Sequence, residues 1–197
     1  MRNLKILLLL LLLNPVTQSK AQGLLGPFDA AKLEAFSGKA INSSLPSGLL
    51  QEHKWTLLVF LSPECPLSKN YAIVIQQLAD EFASQLQVIG IIPGKSFSTK
   101  ETRQFAAKYK LQFPLLIDEK MELVKMVQAS TTPEAVLLTE KAELIYRGAI
   151  DDWAVDLGKK RTKASREYLK DAIKQTVAGI PVIQKINPPV GCLINEF

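Results

Sequence analysis

One apolar segment limits the folds that this chain of 197 residues can adopt. Residues 55–61 read Trp-Thr-Leu-Leu-Val-Phe-Leu, a run without the alternation of a half-exposed strand. Such a run is typical of a strand that is buried on both faces of a parallel sheet covered by helices. A helical pattern follows, with Tyr71, Ile75, Leu78 and Phe82 on one face. The segment therefore predicts a β-α unit.

The rest of the chain repeats this unit and then departs from it. Ser98 and Glu101 form a capping box at the start of the second helix, and Gly179 ends the last helix. The alternation implies parallel crossovers, and a hairpin adds antiparallel strands. We predict an α/β fold with a mixed central β-sheet flanked by helices, between an irregular segment at 22–54 and an irregular C-terminal tail at 181–197. The later strands are expected at residues 86–92, 114–117, 135–138 and 144–147, and the later helices at residues 98–109, 120–127 and 165–178.

The N-terminus has the organisation of a secretory signal peptide. Arg2 and Lys5 precede eight apolar residues at positions 6–13, and a polar stretch ends in Ser19-Lys20-Ala21. Eight residues are too few to cross a hydrocarbon core of roughly 30 Å, which needs about 20. We expect residues 1–21 to be removed and the protein to be exported, periplasmic or secreted, without stable membrane insertion. An uncleaved N-terminal anchor is the alternative.

The positive charge lies mostly in this signal. The whole chain has a formal net charge of +5. Removal of Arg2, Lys5 and Lys20 leaves 21 basic and 19 acidic residues, a net charge of +2. So small an excess gives no reason to expect a nucleic acid partner.

The chain has only two cysteines, Cys65 and Cys192, and both lie in the expected mature part. A disulfide between them is permitted in an oxidising compartment. Two cysteines 127 positions apart do not make a zinc site by themselves, and the one histidine, His53, precedes the first strand. A copper carrier would need two close cysteines and a well-placed histidine. We therefore expect no metal and no cofactor.

Cys65 lies where the first strand ends and the first long helix begins. Unpaired N–H groups and the helix dipole favour negative charge at that end, so a thiolate is stabilised there. Pro66 suits the first helical turn, because its missing N–H has no partner to lose. Glu64 opposes the thiolate. A reactive thiol and a buried structural cysteine therefore both stay open at this point.

Three motifs together resemble the thioredoxin-like superfamily. They are Cys-Pro-Leu-Ser at 65–68, Thr-Thr-Pro-Glu-Ala at 131–135 and Tyr-Arg-Gly-Ala-Ile-Asp-Asp at 146–152. The chain is similar, more narrowly, to exported redoxin-domain proteins of the peroxiredoxin and thiol-disulfide oxidoreductase group, over roughly residues 50–180. The resemblance implies a thioredoxin-like fold, with residues 22–180 as the redoxin domain. It also implies that Cys65 is the attacking cysteine, and that Pro133 is a cis-proline whose preceding residue, Thr132, presents its backbone to a thiol partner.

The chain departs from thioredoxins at the position of the resolving cysteine. Ser68 replaces the second cysteine of the Cys-x-x-Cys motif, and serine cannot form a disulfide. A mixed disulfide at Cys65 must then be resolved by Cys192, by an external reductant or by a partner protein. We expect Cys65 and Cys192 to be catalytic, and Thr132, Pro133, Pro66 and Ser68 to form the substrate-binding surface.

The likeness to peroxiredoxins is also incomplete. Ser62 matches the Thr or Ser that this group has three residues before its reactive cysteine, but Leu58 stands where the group has proline. The arginine near the thiolate has no clear counterpart, and we expect Arg147 to be an exposed strand residue. The first hypothesis is thus an exported thiol-disulfide oxidoreductase that acts on protein thiols or disulfides with an external thiol reductant. The alternatives are a thiol peroxidase for hydroperoxides and a non-catalytic binding module.

Overall fold

The computed structural model describes residues 27–36, 40–42, 48–50 and 54–195. The expected signal peptide at 1–21 and His53 lie outside these residues. Within the described ranges, no helix has both the length and the apolar character that a bilayer crossing requires.

The elements follow the predicted order, with some additions. The helices are α1 (Ala30–Glu34), α2 (Pro66–Glu81), α3 (Thr99–Tyr109), α4 (Glu122–Val127) and α5 (Tyr168–Val177). The strands are β1 (Trp55–Phe60), β2 (Leu86–Pro93), β3 (Leu115–Asp118), β4 (Thr131–Thr132), β5 (Glu134–Thr139), β6 (Leu144–Gly148), β7 (Ala154–Asp156), β8 (Lys159–Lys160), β9 (Ile186–Asn187) and β10 (Cys192–Leu193). The short helix α1, strand β4, the hairpin of β7 and β8 and the two tail strands were not predicted.

Six strands form one mixed sheet in the order β3-β2-β1-β5-β6-β9. Strands β1, β2 and β3 are parallel, whereas β5 is antiparallel to both β1 and β6. This arrangement confirms the predicted thioredoxin-like α/β fold.

Both faces of β1 are buried, as its apolar run predicts. Leu57 and Val59 contribute to one core cluster, which includes residues of α2, α3 and α5. Leu58 and Phe60 point to the other cluster, which includes residues of α1 and α4. The alternation along β1 therefore separates two apolar layers, and the helices bury both faces of the sheet. Burial on both faces fixes the carboxyl end of β1, and Cys65 follows this end in the sequence.

The prediction of an irregular tail is wrong in part, because two short strands hold it. Strand β9 lies parallel to β6, with the Arg147 N–H donating to the Lys185 carbonyl (2.7 Å) and the Ala149 N–H to the Asn187 carbonyl (3.1 Å). Between these amides, Gly148 has a φ of +127°, and a Cβ there would overlap the Asn187 carbonyl. The tail then pairs through β10 with β4. Backbone pairing of this kind leaves no periodic apolar signal in so short a segment.

Candidate functional site

Cys65 is the N-cap residue of α2, with Pro66 in the first turn. The Cys65 N–H donates to the Ser62 carbonyl (3.2 Å), and the Cys65 carbonyl accepts from the Lys69 N–H (3.1 Å). The Cys65 side chain is only 2% exposed, whereas Pro66 next to it is exposed. The cysteine thus lies below the surface at the positive end of a 16-residue helix.

Ser68 lies in the first turn of the same helix, and it is buried rather than part of the expected substrate-binding surface. Its side chain is fully buried, and its Oγ accepts a hydrogen bond from the Ser62 N–H (3.1 Å). The hydroxyl therefore supports the loop that leads to Cys65. Burial keeps it from a partner surface, which corrects its assignment as a substrate-binding residue.

The loop before β5 lies against Cys65. The Thr132–Pro133 peptide bond is cis, as the resemblance implies. The carbonyl oxygen of Thr132 is 3.0 Å from the Sγ of Cys65. In the disulfide this sulfur carries no proton, so the approach is a contact. In the reduced protein a Cys65 thiol at this distance can donate a hydrogen bond to the same carbonyl.

The tail brings Cys192 to the same place. Cys65 and Cys192 form a disulfide whose Cα atoms are 6.1 Å apart, within the usual range for such bonds. Strand β10 pairs antiparallel with β4, so that Cys192 lies opposite Thr132, and the Ile194 N–H donates to the Ser130 carbonyl (2.9 Å). The structure therefore brings together three segments that are far apart in sequence, which contribute Cys65, Thr132 with Pro133, and Cys192.

Glu134 is a site residue that the sequence analysis missed. It follows Pro133 directly and is completely buried. Its Oε2 accepts the N–H groups of Ser130 (2.7 Å) and Thr131 (3.2 Å), and the Ser130 hydroxyl (3.1 Å). The carboxylate thus holds the turn that carries β4, the edge on which the tail lies.

Arg147 neutralises this buried carboxylate, so the expectation that Arg147 is exposed is wrong. Its Nε is 2.8 Å from Glu134 Oε1, its side chain is 13% exposed, and its guanidinium also donates to the Gln128 carbonyl. A signal for the pair existed in the sequence. A glutamate at the start of an apolar strand needs a buried cation, and Arg147 is the only cation on the neighbouring strand β6.

A cleft of about 840 Å³ opens beside the disulfide. Cys192 lines it together with Ser62, Glu64 and Thr132, so the disulfide borders the cleft on its Cys192 side. Charged side chains of both signs surround it, which gives no strong preference for an anion or a cation. The other lining residues include Lys95, Lys120, Lys125, Phe97, Glu119, Met121, Leu193, Ile194 and Asn195. In the part of the chain that the structure describes, no three His, Cys, Asp or Glu side chains cluster as metal ligands would.

The two aspartates after β6 have structural partners. Asp151 accepts a hydrogen bond from the Tyr71 hydroxyl, which joins this turn to α2, and one from the Trp153 N–H (2.8 Å) within the turn. Burial raises the pKa of Asp151 above its usual range, although both hydrogen bonds act in the opposite direction. Asp152 accepts from Ser165 and from the Arg166 N–H, and these bonds lower its pKa to about 2.

We expect Asp151→Asn to change how the stability depends on pH. Folding raises the pKa of Asp151 above its ordinary value of 3.8. Between pH 3.8 and the raised pKa the folded state binds more protons than the unfolded state, so the free energy of unfolding falls as pH rises through this range. Asparagine can still accept both hydrogen bonds but carries no charge. Urea unfolding at a series of pH values should therefore show no difference at low pH and a more stable variant at neutral pH. A variant that loses stability at neutral pH would contradict this.

Reduction of the disulfide should lower the free energy of unfolding by about 2–4 kcal/mol, because the bond closes a very long loop of the unfolded chain. Cys65 and Cys192 are 127 positions apart. Denaturant unfolding with and without dithiothreitol measures the effect. The control is Cys192→Ser, whose stability should equal that of the reduced protein and should not respond to reductant. Equal stability of the oxidised and reduced proteins would contradict the prediction.

Comparisons with known proteins agree with this geometry. The sequence profile of the AhpC/TSA family matches residues 29–150. No curated protein matches the chain in sequence. Among solved structures, a hypothetical protein from Sinorhizobium meliloti 1021 is similar, with a TM-score of 0.69 and 21% identity over 82% of this chain and 92% of that one.

Two further structures have the same fold. A thioredoxin-like protein in its oxidised form has a TM-score of 0.59 and 16% identity, over 80% of this chain and 98% of that one. A secreted Mycobacterium tuberculosis disulfide oxidoreductase, homologous to E. coli DsbE, has a TM-score of 0.51 and 18% identity, over 76% and 98%. At these identities the likeness establishes the fold.

Proposed function

The chain belongs to the AhpC/TSA family, and on this premise we propose that it is a thiol-disulfide oxidoreductase with Cys65 as the attacking thiol and Cys192 as the resolving thiol. Membership makes it a redox enzyme that uses thiol-disulfide chemistry. The observation that carries the finer proposal is the Cys65–Cys192 disulfide, which lies against the Thr132 carbonyl at the start of α2.

The reaction proceeds in two exchanges. The Cys65 thiolate attacks one sulfur of a partner disulfide, a mixed disulfide forms and the partner's second sulfur leaves as a thiolate. The Cys192 thiolate then attacks Cys65 Sγ, the mixed disulfide breaks and the second partner thiolate leaves. The partner is reduced by two electrons and the enzyme ends as the Cys65–Cys192 disulfide. An external dithiol reverses these steps, and a partner dithiol does the same when the enzyme acts as an oxidant.

The surroundings of Cys65 support its role. The α2 N-terminus stabilises a thiolate both as the attacking group and as the leaving group. Thr132 and Pro133 are buried in the disulfide form, in which β10 lies on β4; once the tail is displaced they form one wall of the partner surface, and exposed Pro66 forms another. Partners on this proposal are protein thiols or disulfides and an external thiol reductant.

The proposal also places the enzyme outside the cytoplasm. The signal-like residues 1–21 and the secreted disulfide oxidoreductase of the same fold support export, to the periplasm or beyond the cell. We propose residues 22–180 as the redoxin domain and residues 181–197 as a tail that contributes Cys192.

The proposed function is tested with a fluorescent peptide that contains two cysteines. We expect catalytic amounts of the protein to accelerate its reduction by dithiothreitol, its oxidation by glutathione disulfide, or both, by at least about tenfold over the uncatalysed reaction. Cys192→Ser is the control, because it should form the mixed disulfide but should not turn over by the two-exchange route. No acceleration in either direction would contradict the assignment.

Family membership also favours a second candidate, a thiol peroxidase. In that reaction the Cys65 thiolate attacks a hydroperoxide, the O–O bond breaks, and a sulfenic acid forms while the hydroperoxide leaves as an alcohol or water; Cys192 then converts the sulfenic acid into the same disulfide with loss of water. A sulfenate trap separates the two. Labelling of reduced Cys192→Ser after brief peroxide treatment, at a rate well above that of a free thiol, would favour the peroxidase.

A further inference from the structure

The C-terminal tail occupies the edge to which a partner peptide would bind. Strand β10 is paired only with β4 in the described structure, and its cysteine is joined covalently to the attacking cysteine. A mixed disulfide with an extended partner segment would have the same arrangement. We propose that residues 191–194 are a built-in copy of the recognised segment, and that partner proteins bind β4 through an extended Gly-Cys-x-apolar sequence that replaces the tail. This inference rests on the proposed function, because it needs Cys65 to exchange with a partner cysteine.

The backbone of β4 provides hydrogen bonds that an extended segment of any sequence can form. Cys192 lies opposite Thr132 and Leu193 opposite Thr131, and the Ile194 N–H donates to the Ser130 carbonyl at 2.9 Å. A strand edge that is free to pair can accept a segment of another chain in the same register. Glu134 fixes this edge, because its carboxylate binds the amides of Ser130 and Thr131.

The position before the cysteine accepts only a very small residue. A Cβ on Gly191 would lie 2.5 Å from the Thr132 carbonyl oxygen and 3.0 Å from the Thr131 Cβ. Real Cβ atoms do not approach backbone atoms so closely, and the edge cannot yield easily, because Glu134 binds the amides of Ser130 and Thr131. The edge therefore selects glycine immediately before the reacting cysteine.

The positions after the cysteine alternate, as side chains of a strand do. Leu193 points to solvent and is 72% exposed, so this position imposes no requirement. Ile194 packs against the core cluster that contains residues of α1 and α4. An apolar side chain is therefore preferred two residues after the cysteine.

The tail and the partner exclude each other. While Cys192 is joined to Cys65, β4 is covered and the attacking sulfur is bonded. After reduction residues 191–194 are held by their backbone pairing with β4 and by the packing of Ile194, so a partner segment can displace them. A partner can therefore reach Cys65 only after the Cys65–Cys192 disulfide has been reduced.

Synthetic peptides with the sequence of residues 188–195 test this inference on full-length Cys192→Ser. The peptide cysteine carries thionitrobenzoate as a mixed disulfide, and attack by Cys65 releases the coloured thiolate. We expect peptides with Gly191→Val or Ile194→Ser to react about tenfold more slowly than the parent. The control peptide with Leu193→Ser should react within about twofold of the parent. Equal rates for all four peptides would overturn the inference.

A small aromatic disulfide separates this inference from the proposed function. If Cys65 of Cys192→Ser reacts with that small disulfide but does not discriminate among the peptides, the strand recognition is wrong and the proposed function stands. If Cys65 reacts with neither, the proposed function itself fails. In the protein, the double variant Gly191→Val/Cys192→Ser cannot seat its own tail, so the parent peptide should react several-fold faster than with Cys192→Ser. An unchanged rate would show that the tail does not compete.

Discussion

Replacement of Cys65 by serine will abolish thiol-disulfide exchange while the fold persists. Serine has nearly the same volume, so the first turn of α2 keeps its packing, but its hydroxyl is not ionised at neutral pH and cannot attack a disulfide. We expect the peptide oxidoreductase rate of Cys65→Ser to fall to the uncatalysed level, so that the whole acceleration of at least about tenfold is lost. The two-cysteine peptide assay measures it.

Cys192→Ser is the matched control, because it lacks the same disulfide and should have the same stability as Cys65→Ser. Without an external thiol it should nevertheless form a mixed disulfide between Cys65 and the peptide, with one peptide thiol set free, and then stop. Near-native turnover in a folded Cys65→Ser protein would remove the assignment of the attacking residue.

Loss of the Glu134 carboxylate will destabilise the fold strongly, because it leaves a buried cation without its anion. Glu134 is completely buried, and in Glu134→Ala the largely buried guanidinium of Arg147 loses its ion-pair partner. Breaking a buried ion pair by removing one partner costs about 3–5 kcal/mol. The amides of Ser130 and Thr131 also lose their acceptor. Denaturant unfolding of reduced Glu134→Ala and reduced wild type gives the difference.

The control for Glu134 is an ion pair of equal length on the surface. Lys170 and Glu81 are also 2.8 Å apart, but their side chains are 28% and 42% exposed. Glu81→Ala should cost less than about 1 kcal/mol, because solvent screens this pair. Similar losses of unfolding free energy in the two variants would show that the buried Glu134–Arg147 pair stabilises the fold no more than a surface pair. Cys65 of Glu134→Ala should also react more slowly with the parent peptide, since the edge β4 is no longer fixed.

The central fold could be predicted because its signals are local and repeated. The apolar run at 55–61 predicts a strand buried on both faces, and the capping box at Ser98 predicts the start of α3. The position of Cys65 follows from these two kinds of signal, since a strand ends and a helix begins around it.

The rest of the site depends on contacts between distant segments. Strands β9 and β10 have two residues each, too few for a periodic pattern, and they form because the backbone of other strands is available to them. The Glu134–Arg147 pair joins neighbouring strands, and its meaning is clear only once the two strands are known to be adjacent. Ser68 looked like a replaced cysteine at a surface, whereas its position in α2 turns it inward.

The anchoring of the tail at β9 sets the length of a tether. Asn187 is held beside Gly148 by the pairing of β9 with β6, which does not involve the disulfide, and Cys192 follows Asn187 by five residues. A fully extended segment of that length spans about 17 Å. A reduced Cys192 therefore remains confined near Cys65 at an effective concentration on the order of millimolar. Cys192 therefore competes in large excess with any external thiol at micromolar concentration. A mixed disulfide at Cys65 will be resolved by Cys192 before another thiol attacks it.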